Sequence, residues 1–263
     1  MKAIRLHERG GADKLIWEEA PMPVLRPGDA LVKVLASGLT RNELNWGPTY
    51  TDEHGNSRLP TIPGHELCGI VTAVALGVAE VTVGEEVYGL TSFFRDGTAA
   101  EYVAVRAADL ARKPQTLNPY EAAAVPLAGL TAWQALFDHA GLAAGQRILI
   151  HGAAGGVGSL AIQLAKWKGA EVIAATAADN LSLVLDLGAN QAVDYWAGPF
   201  EKQMEPVNVI LDTIGGDIQR NSWSILKPGG ILVTIAGEGI SVPADVKDRK
   251  GIFFIVKPDT QEL

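Results

Sequence analysis

Hydrophobic positions change their period partway along the chain. Up to about residue 118 they fall in short alternating runs, such as ALVKVLASGLT from Ala30 and EYVAVRA from Glu101, cut by clusters of Pro and Gly. Pro21, Pro23, Pro27, Gly28 and Asp29 form one cluster, and Pro60, Pro63 and Gly64 another. Alternation between turn residues predicts antiparallel strands in a barrel-like unit. From Pro119 the texture becomes Ala-rich and helical, starting with EAAAVPLAGLTAWQALFDHAG. Strands alternating with helices then follow: RILIH from Arg147, EVIAAT from Glu171, QAVDY from Gln191, VNVILDT from Val207, ILVTIAG from Ile231 and IFFIV from Ile252. That alternation predicts a parallel, doubly wound α/β sheet, with the domain boundary near Asn118 and domains at 1–118 and 119–263.

The strand ending at His151 runs into AAGGVGSLAIQLAKWKGA, residues 153–170. Strand, glycine turn and helix in that order form the Rossmann arrangement, in which main-chain amides at a helix N-terminus hold a dinucleotide diphosphate. Gly155 allows close passage of the phosphates, Gly158 allows close helix packing, and Gly156 frees the turn, with Ala154 just before them and Val157 between. Ala153 stands where such a fingerprint usually has its first glycine. Val157, Leu160, Ala161, Leu164 and Ala165 predict the buried face of the helix.

Ligands gather at the carboxyl ends of strands in such sheets, which adds Thr176 on the second strand, Asp212 and Thr213 on the fourth, and Ala236 and Gly237 on the fifth. An acidic residue at the tip of the second strand normally grips the ribose of NAD. Here the strand ends Thr176 and Ala177, and Asp179 reads as a helix cap. NADP is therefore favoured, although no Arg or Lys stands there for its phosphate, and NAD stays open.

Composition narrows the alternatives. With 263 residues, 48% hydrophobic and 20% charged, the chain has enough apolar surface for two folded domains. A net charge of −8 and a pI near 5.2 leave no basic footprint for nucleic acid or an anionic membrane. A single cysteine, Cys68, excludes an intrachain disulfide and a thiolate cluster. The charged N-terminus lacks a signal-peptide core, and no apolar run reaches the roughly twenty residues of a membrane span, so the expected location is cytoplasmic.

The ordered segments PGHELCGIV from Pro63, VGEEVYGL from Val83, FFRDGTAAEYV from Phe93, VPLAGLTAWQAL from Val125 and HGAAGGVGSLAIQLAK from His151 resemble the zinc-independent quinone oxidoreductases of the medium-chain dehydrogenase/reductase superfamily. The resemblance implies an N-terminal chaperonin-10-like (GroES-like) β-barrel and a Rossmann domain. It also implies a cleft between them where NADPH reduces quinones or other α,β-unsaturated carbonyls, and a homodimer. It places GLTRNELNWGPTY, Gly38 to Tyr50, as the substrate-side loop, with Thr40, Arg41, Asn42 and Tyr50 as hydrogen-bond donors. Tyr50 is the preferred donor; packing of the barrel is its alternative. Thr131 resembles a residue lining the nicotinamide pocket, with helix capping as its alternative, and Tyr195 one that contacts the adenosine portion, with packing as its alternative.

Several positions depart from relatives. A serine and a basic residue that mark NADPH users fall on Ala177 and Asp179. The two catalytic cysteine ligands of zinc relatives fall on Thr40 and Ala128, and neither replaces a thiolate. Cys68 reads as a core filler, and His65 and Glu66 as residues hydrogen-bonding within their own turn. The family continues past the sixth strand with a segment returning to the barrel, so the chain reads as truncated at the C-terminus. A non-catalytic NAD(P)H-binding sensor or structural protein, and an enoyl thioester reductase, are the competing functions.

Overall fold

Thirteen strands and six α-helices build two units in a computed structural model that describes residues 1–40, 42–237, 239–240, 242–244, 246 and 248–263. The first unit comprises Met1–Leu130 with Lys257–Leu263, and the second Thr131–Val256. Of the candidate donors, Arg41 lies outside the described residues.

In the first unit, β1 (Lys2–Arg5) and β2 (Ile16–Glu19) form an antiparallel ribbon. The strands β3 (Asp29–Ser37), β4 (Glu66–Val74), β5 (Glu86–Leu90), β6 (Tyr102–Arg106) and β7 (Leu110–Arg112) make a five-stranded antiparallel sheet in the order β6-β3-β4-β5-β7. Alternation works as the sequence predicts: Ala30 and Val32 point into a core with Leu67, Val71, Val87, Val103 and Val105, while Lys33 is exposed. The short helix α1 (Gly47–Tyr50) lies between β3 and β4 along the chain.

Helix α2 (Pro119–Ala123) opens on a capping box: the Asn118 side chain accepts the amides of Tyr120 and Glu121, and Glu121 accepts the Asn118 amide at 2.9 Å. Ala122 and Ala123 pack with Cys68 and Tyr88, so α2 belongs to the first unit. This is why the division falls at Leu130, beyond the change of texture at Asn118. The return of residues 257–263 to this unit also differs from the sequence reading, which places all of 119–263 in the second domain. There the Tyr88 hydroxyl donates to the Leu263 carbonyl at 2.6 Å. Helix α3 (Pro126–Trp133) follows and continues as a π-helical turn to His139.

The second unit holds β8 (Arg147–His151), α4 (Gly156–Trp167), β9 (Glu171–Thr176), α5 (Leu181–Asp186), β10 (Gln191–Asp194), β11 (Val207–Asp212), α6 (Gly216–Ser222), β12 (Leu226–Thr234) and β13 (Lys250–Phe253). Its six strands are all parallel, in the order β10-β9-β8-β11-β12-β13. Such strands are covered on both faces, which explains the unbroken burial of Ile148, Leu149 and Ile150. Strand β12 begins five residues before the predicted Ile231, because a register shift opposite Val207 and Val209 admits Pro228, Gly229 and Gly230.

On α4 the buried residues are Gly158, Ala161, Ile162 and Ala165. Val157, Leu160 and Leu164 are only half-buried, so the predicted face is rotated toward Ile162. Small residues on the seam let the helix axis approach the sheet closely.

Candidate functional site

Strand order reverses between β8 and β11, the point at which ligands of doubly wound sheets gather. The glycine turn stands there. After β8, Gly152 adopts a left-handed φ of 63°, and its carbonyl accepts the Gly155 amide at 2.9 Å, closing the turn. The Ala153 amide donates to the Ala175 carbonyl of β9 at 3.1 Å. Gly155 is the N-cap of α4 and provides no side-chain cap, so the amides of the first helical turn have no intrahelical acceptor. Gly155 and Gly156 are exposed at the mouth of the turn, whereas Gly158 is buried.

The cradle is sterically specified. A Cβ on Gly158 would stand 2.4 Å from the Gly152 carbonyl oxygen and 2.7 Å from the Ala153 Cα. A Cβ on Gly155 would stand 3.1 Å from the same oxygen. A bare, dipole-oriented helix N-terminus of this shape fits a dinucleotide diphosphate. Gly152, absent from the residues singled out by sequence, carries the positive φ that Ala153 in the fingerprint position cannot; a glycine directly after an apolar strand was its signal.

Around this turn the structure gathers several of the predicted residues. Thr176 ends β9 and is buried, and its carbonyl accepts the Tyr195 amide at 3.3 Å, which brings half-buried Tyr195 to the tip of β9. Thr213 donates its hydroxyl to the His151 carbonyl at 2.9 Å, and Ala236 lies against Gly215, where an added Cβ would stand 2.8 Å from the Ala236 side chain. Gly237 is exposed beyond them. Thr131 is buried within α3, near its C-terminal end, so capping is not its role.

Asp212 is a correction. Its fully buried carboxylate accepts the amides of Ile214 at 3.0 Å and Gly215 at 2.8 Å, the Gln219 side-chain amide at 2.9 Å and the Thr234 hydroxyl at 2.8 Å. These four bonds consume the carboxylate in holding the β11 turn to β12, so its side chain is a brace of the site's floor. Asp179 is another: it is exposed in a 3₁₀ turn after β9, and α5 has no side-chain cap.

In the first unit, the Gly38–Tyr50 loop folds inward around a buried acid. The Thr40 carbonyl accepts the Glu43 amide at 3.0 Å and the Asn42 carbonyl accepts that of Asn45 at 2.9 Å, forming a 3₁₀ turn. Thr40 is half-buried and Asn42 exposed. Tyr50 is 3% exposed, and its single hydroxyl hydrogen goes to the Leu44 carbonyl at 2.7 Å, beneath the Arg9 guanidinium. The preferred donor is thus committed to the backbone, in agreement with its packing alternative.

His65 and Glu66 do not bond within their shared turn, contrary to expectation. Both His65 ring nitrogens are buried without a hydrogen-bond partner among the described residues. The ring stacks on Trp46 at 5.9 Å and meets the edge of Phe93 at 4.8 Å. Burial, with the Arg58 charge added, pushes its pKa down to about 4, so its 3.5 Å approach to Glu43 joins a neutral ring to the acid and is no ion pair at neutral pH. Glu43, whose carboxylate accepts the Gly64 amide, is raised by burial. Burial likewise pushes Glu66 up to about 7, opposed by the Leu127 amide and aided by the charge of Glu43. Glu43 had no signal in the sequence, where a charge in a polar loop reads as solvated. Cys68 is fully buried, its thiol pushed up to about 11 by burial. Among the described residues no three His, Cys, Asp or Glu side chains cluster to hold a metal ion, and no helix is long and apolar enough to cross a membrane.

Comparison with known proteins agrees with both halves of this architecture. Residues 26–115 match the alcohol dehydrogenase GroES-like domain, and residues 156–255 the zinc-binding dehydrogenase family. The chain is 34% identical to a probable zinc-binding mitochondrial oxidoreductase of Arthroderma benhamiae, covering 92% of this chain and 77% of that protein. It is 36% identical to the chloroplastic NADPH-dependent alkenal/one oxidoreductase of Arabidopsis thaliana, over 90% of this chain but only 63% of that one. The solved quinone oxidoreductase of Coxiella burnetii superimposes with a TM-score of 0.89 at 32% identity, covering all of this chain and 84% of that one. The chain belongs to the quinone oxidoreductase-like proteins of the medium-chain dehydrogenase/reductase superfamily.

Proposed function

We propose that the protein is an NAD(P)H-dependent oxidoreductase that reduces quinones or other α,β-unsaturated carbonyls without zinc. The observation that carries this reading is the uncapped glycine turn at the point where strand order reverses, with Gly158 seated against Gly152 and Ala153. The kinship with an alkenal/one oxidoreductase and a quinone oxidoreductase supports the substrate class. Bound NAD(P)H would supply a hydride for the electrophilic carbon of the substrate.

The chain's own contribution is binding and orientation. Amides of residues 154–158 hold the diphosphate, Thr176 and Tyr195 border the adenosine portion, and Thr131, Thr213, Ala236 and Gly237 border the nicotinamide portion. NADPH is the preferred nucleotide, since no carboxylate ends β9 to meet its 2′-phosphate; exposed Asp179 keeps NADH as the alternative. With Tyr50 committed to Leu44, Thr40 and Asn42 are the donors to the developing oxyanion. Zinc independence is supported by the donor chemistry: by the family resemblance Thr40 and Ala128 fall on the cysteine positions, and His65 packs against Trp46 and Phe93. We further propose a cytoplasmic homodimer joined at β13, one of the two edge strands of the sheet.

The test is fluorescence titration with NADPH and NADH, followed by oxidation assays over quinones, enones and enoyl thioesters, with metal analysis of the same sample. Tight binding with turnover of quinones or enones, and no stoichiometric zinc, is expected. Binding without turnover on any substrate identifies a non-catalytic binder, preferential turnover of thioesters an enoyl reductase. A folded sample that binds neither nucleotide overturns the reading altogether.

A further inference from the structure

His151, the last residue of β8, is 1% exposed and yet carries a polar ring. Its Nε2 lies 2.8 Å from Ser222 Oγ. The Ser222 hydroxyl has a single hydrogen, which it donates to the Ile218 carbonyl at 2.7 Å. The hydrogen between the two side chains therefore sits on the imidazole. His151 is the neutral Nε2–H form, with Nδ1 buried and unpartnered among the described residues. Burial holds it so, pushing its pKa down to about 4 against the opposing pull of Asp212.

The backbone of the same residue makes a second link. Its carbonyl accepts the Thr213 hydroxyl at 2.9 Å. Thr213 stands three residues before α6 and Ser222 ends it, so one residue of β8 holds both the segment leading into that helix and its last residue. Thr213 Oγ1 also stands 2.3 Å from the position of a Cβ on Gly152, filling the space that this glycine leaves. The Gly152 carbonyl in turn accepts the Gly155 amide. Contacts thus run without a break from Ser222 through His151 and Thr213 to Gly152 and the N-cap of α4.

We propose that His151 is a positioning residue for the dinucleotide, seating α6 through Ser222 and Thr213 so that the turn from Gly152 to Gly155 keeps the shape that receives a diphosphate. This rests on the reading of that turn as the dinucleotide site. The ring is buried and meets Phe200 edge-on at 4.8 Å, so its part is played through its neighbours. Loss of its hydrogen bond leaves Ser222 without its donor and releases one end of α6, and the effect reaches the turn through Thr213.

The experiment compares wild type with His151→Leu, His151→Gln, Ser222→Ala and Thr213→Val. Dissociation constants are measured by NADPH and NADH fluorescence, Tm by calorimetry, and hydrogen exchange of amides 152–158 without nucleotide. His151→Leu and Ser222→Ala are expected to raise the dissociation constant about tenfold, the scale of one buried hydrogen bond. Exchange at 152–158 should quicken to a similar degree, and the nucleotide KM should rise while kcat at saturation changes less than about twofold. His151→Gln, which returns a donor near the Nε2 position, should recover binding to within about threefold. Should His151→Leu fail to fold, Ser222→Ala alters little volume and carries the same comparison. Variants that melt earlier yet bind nucleotide with the wild-type constant and keep 152–158 protected would overturn the proposal and make His151 a packing residue alone. Wild type binding neither nucleotide would instead remove the functional reading on which the proposal rests.

Discussion

The backbone amide of Leu127 donates to the Glu66 carboxylate at 2.8 Å, so a buried acid at the start of β4 serves the first turn of α3. The helix dipole favours negative charge there, but burial costs more than that contact returns, and Glu66 is pushed up to about 7. Its neighbour His65 is pushed the other way, down to about 4.

These two shifts have opposite consequences for stability. A raised acid stabilises the folded state most below its ordinary value of 4.5 and loses that contribution as pH climbs through about 7. A depressed histidine contributes above its ordinary 6.5 and loses that contribution as pH falls toward about 4. Each is on the order of 1.4 kcal/mol per pH unit within its window. They therefore oppose one another between pH 4.5 and 6.5, with Glu43 adding in the direction of Glu66. Glu66→Gln, which keeps an acceptor for Leu127, should make stability rise more steeply with pH than in wild type. His65→Phe, which keeps the aromatic stack, should make it fall. Urea melts of the first unit at half-unit pH intervals check both slopes, and parallel curves for all three proteins would show the two groups titrating normally.

Tyr50 yields a separate prediction. Because its hydroxyl hydrogen is held by the Leu44 carbonyl, Tyr50→Phe should lower stability by about 1 kcal/mol and leave kcat within about twofold. Steady-state kinetics beside a denaturant melt measures both. A hundredfold loss of kcat with unchanged stability would restore Tyr50 as the proton donor.

The same residue illustrates what local pattern conveys. The glycine turn was legible because strand, turn and helix are consecutive, and their periodicity and positive-φ demands act over a few residues. All six parallel strands were legible for the same reason. Hydroxyl and carboxylate roles were not, since the partners that decide them are tertiary: Leu44 for Tyr50, Gln219 and Thr234 for Asp212, Leu127 for Glu66. The domain division was misplaced because Asn118 signals a helix start faithfully, but only packing of Ala122 and Ala123 on Cys68 and Tyr88 tells which unit the helix joins.

Asp212→Asn tests the brace beneath the turn. All four groups facing this carboxylate are donors, whereas asparagine offers one acceptor oxygen and turns an NH₂ toward the rest. Leaving buried donors unpaired should cost about 3 kcal/mol in the second unit, read as a lower urea midpoint with an unchanged slope. A loss below about 0.5 kcal/mol would mean the four bonds are not jointly made in solution.

Gly158→Ala bears most directly on the nucleotide. The added methyl meets backbone atoms, the Gly152 carbonyl oxygen at 2.4 Å and the Ala153 Cα at 2.7 Å, and no rotamer change relieves such contacts. Either α4 withdraws from the turn or the turn itself opens, and both displace the first-turn amides from their common focus. The dissociation constant for NADPH should rise by more than about tenfold, with a loss of stability in the range of about 1–3 kcal/mol typical of overpacking. If Gly158→Ala binds NADPH as wild type does while losing stability, the glycine is required for helix packing and the diphosphate lies elsewhere.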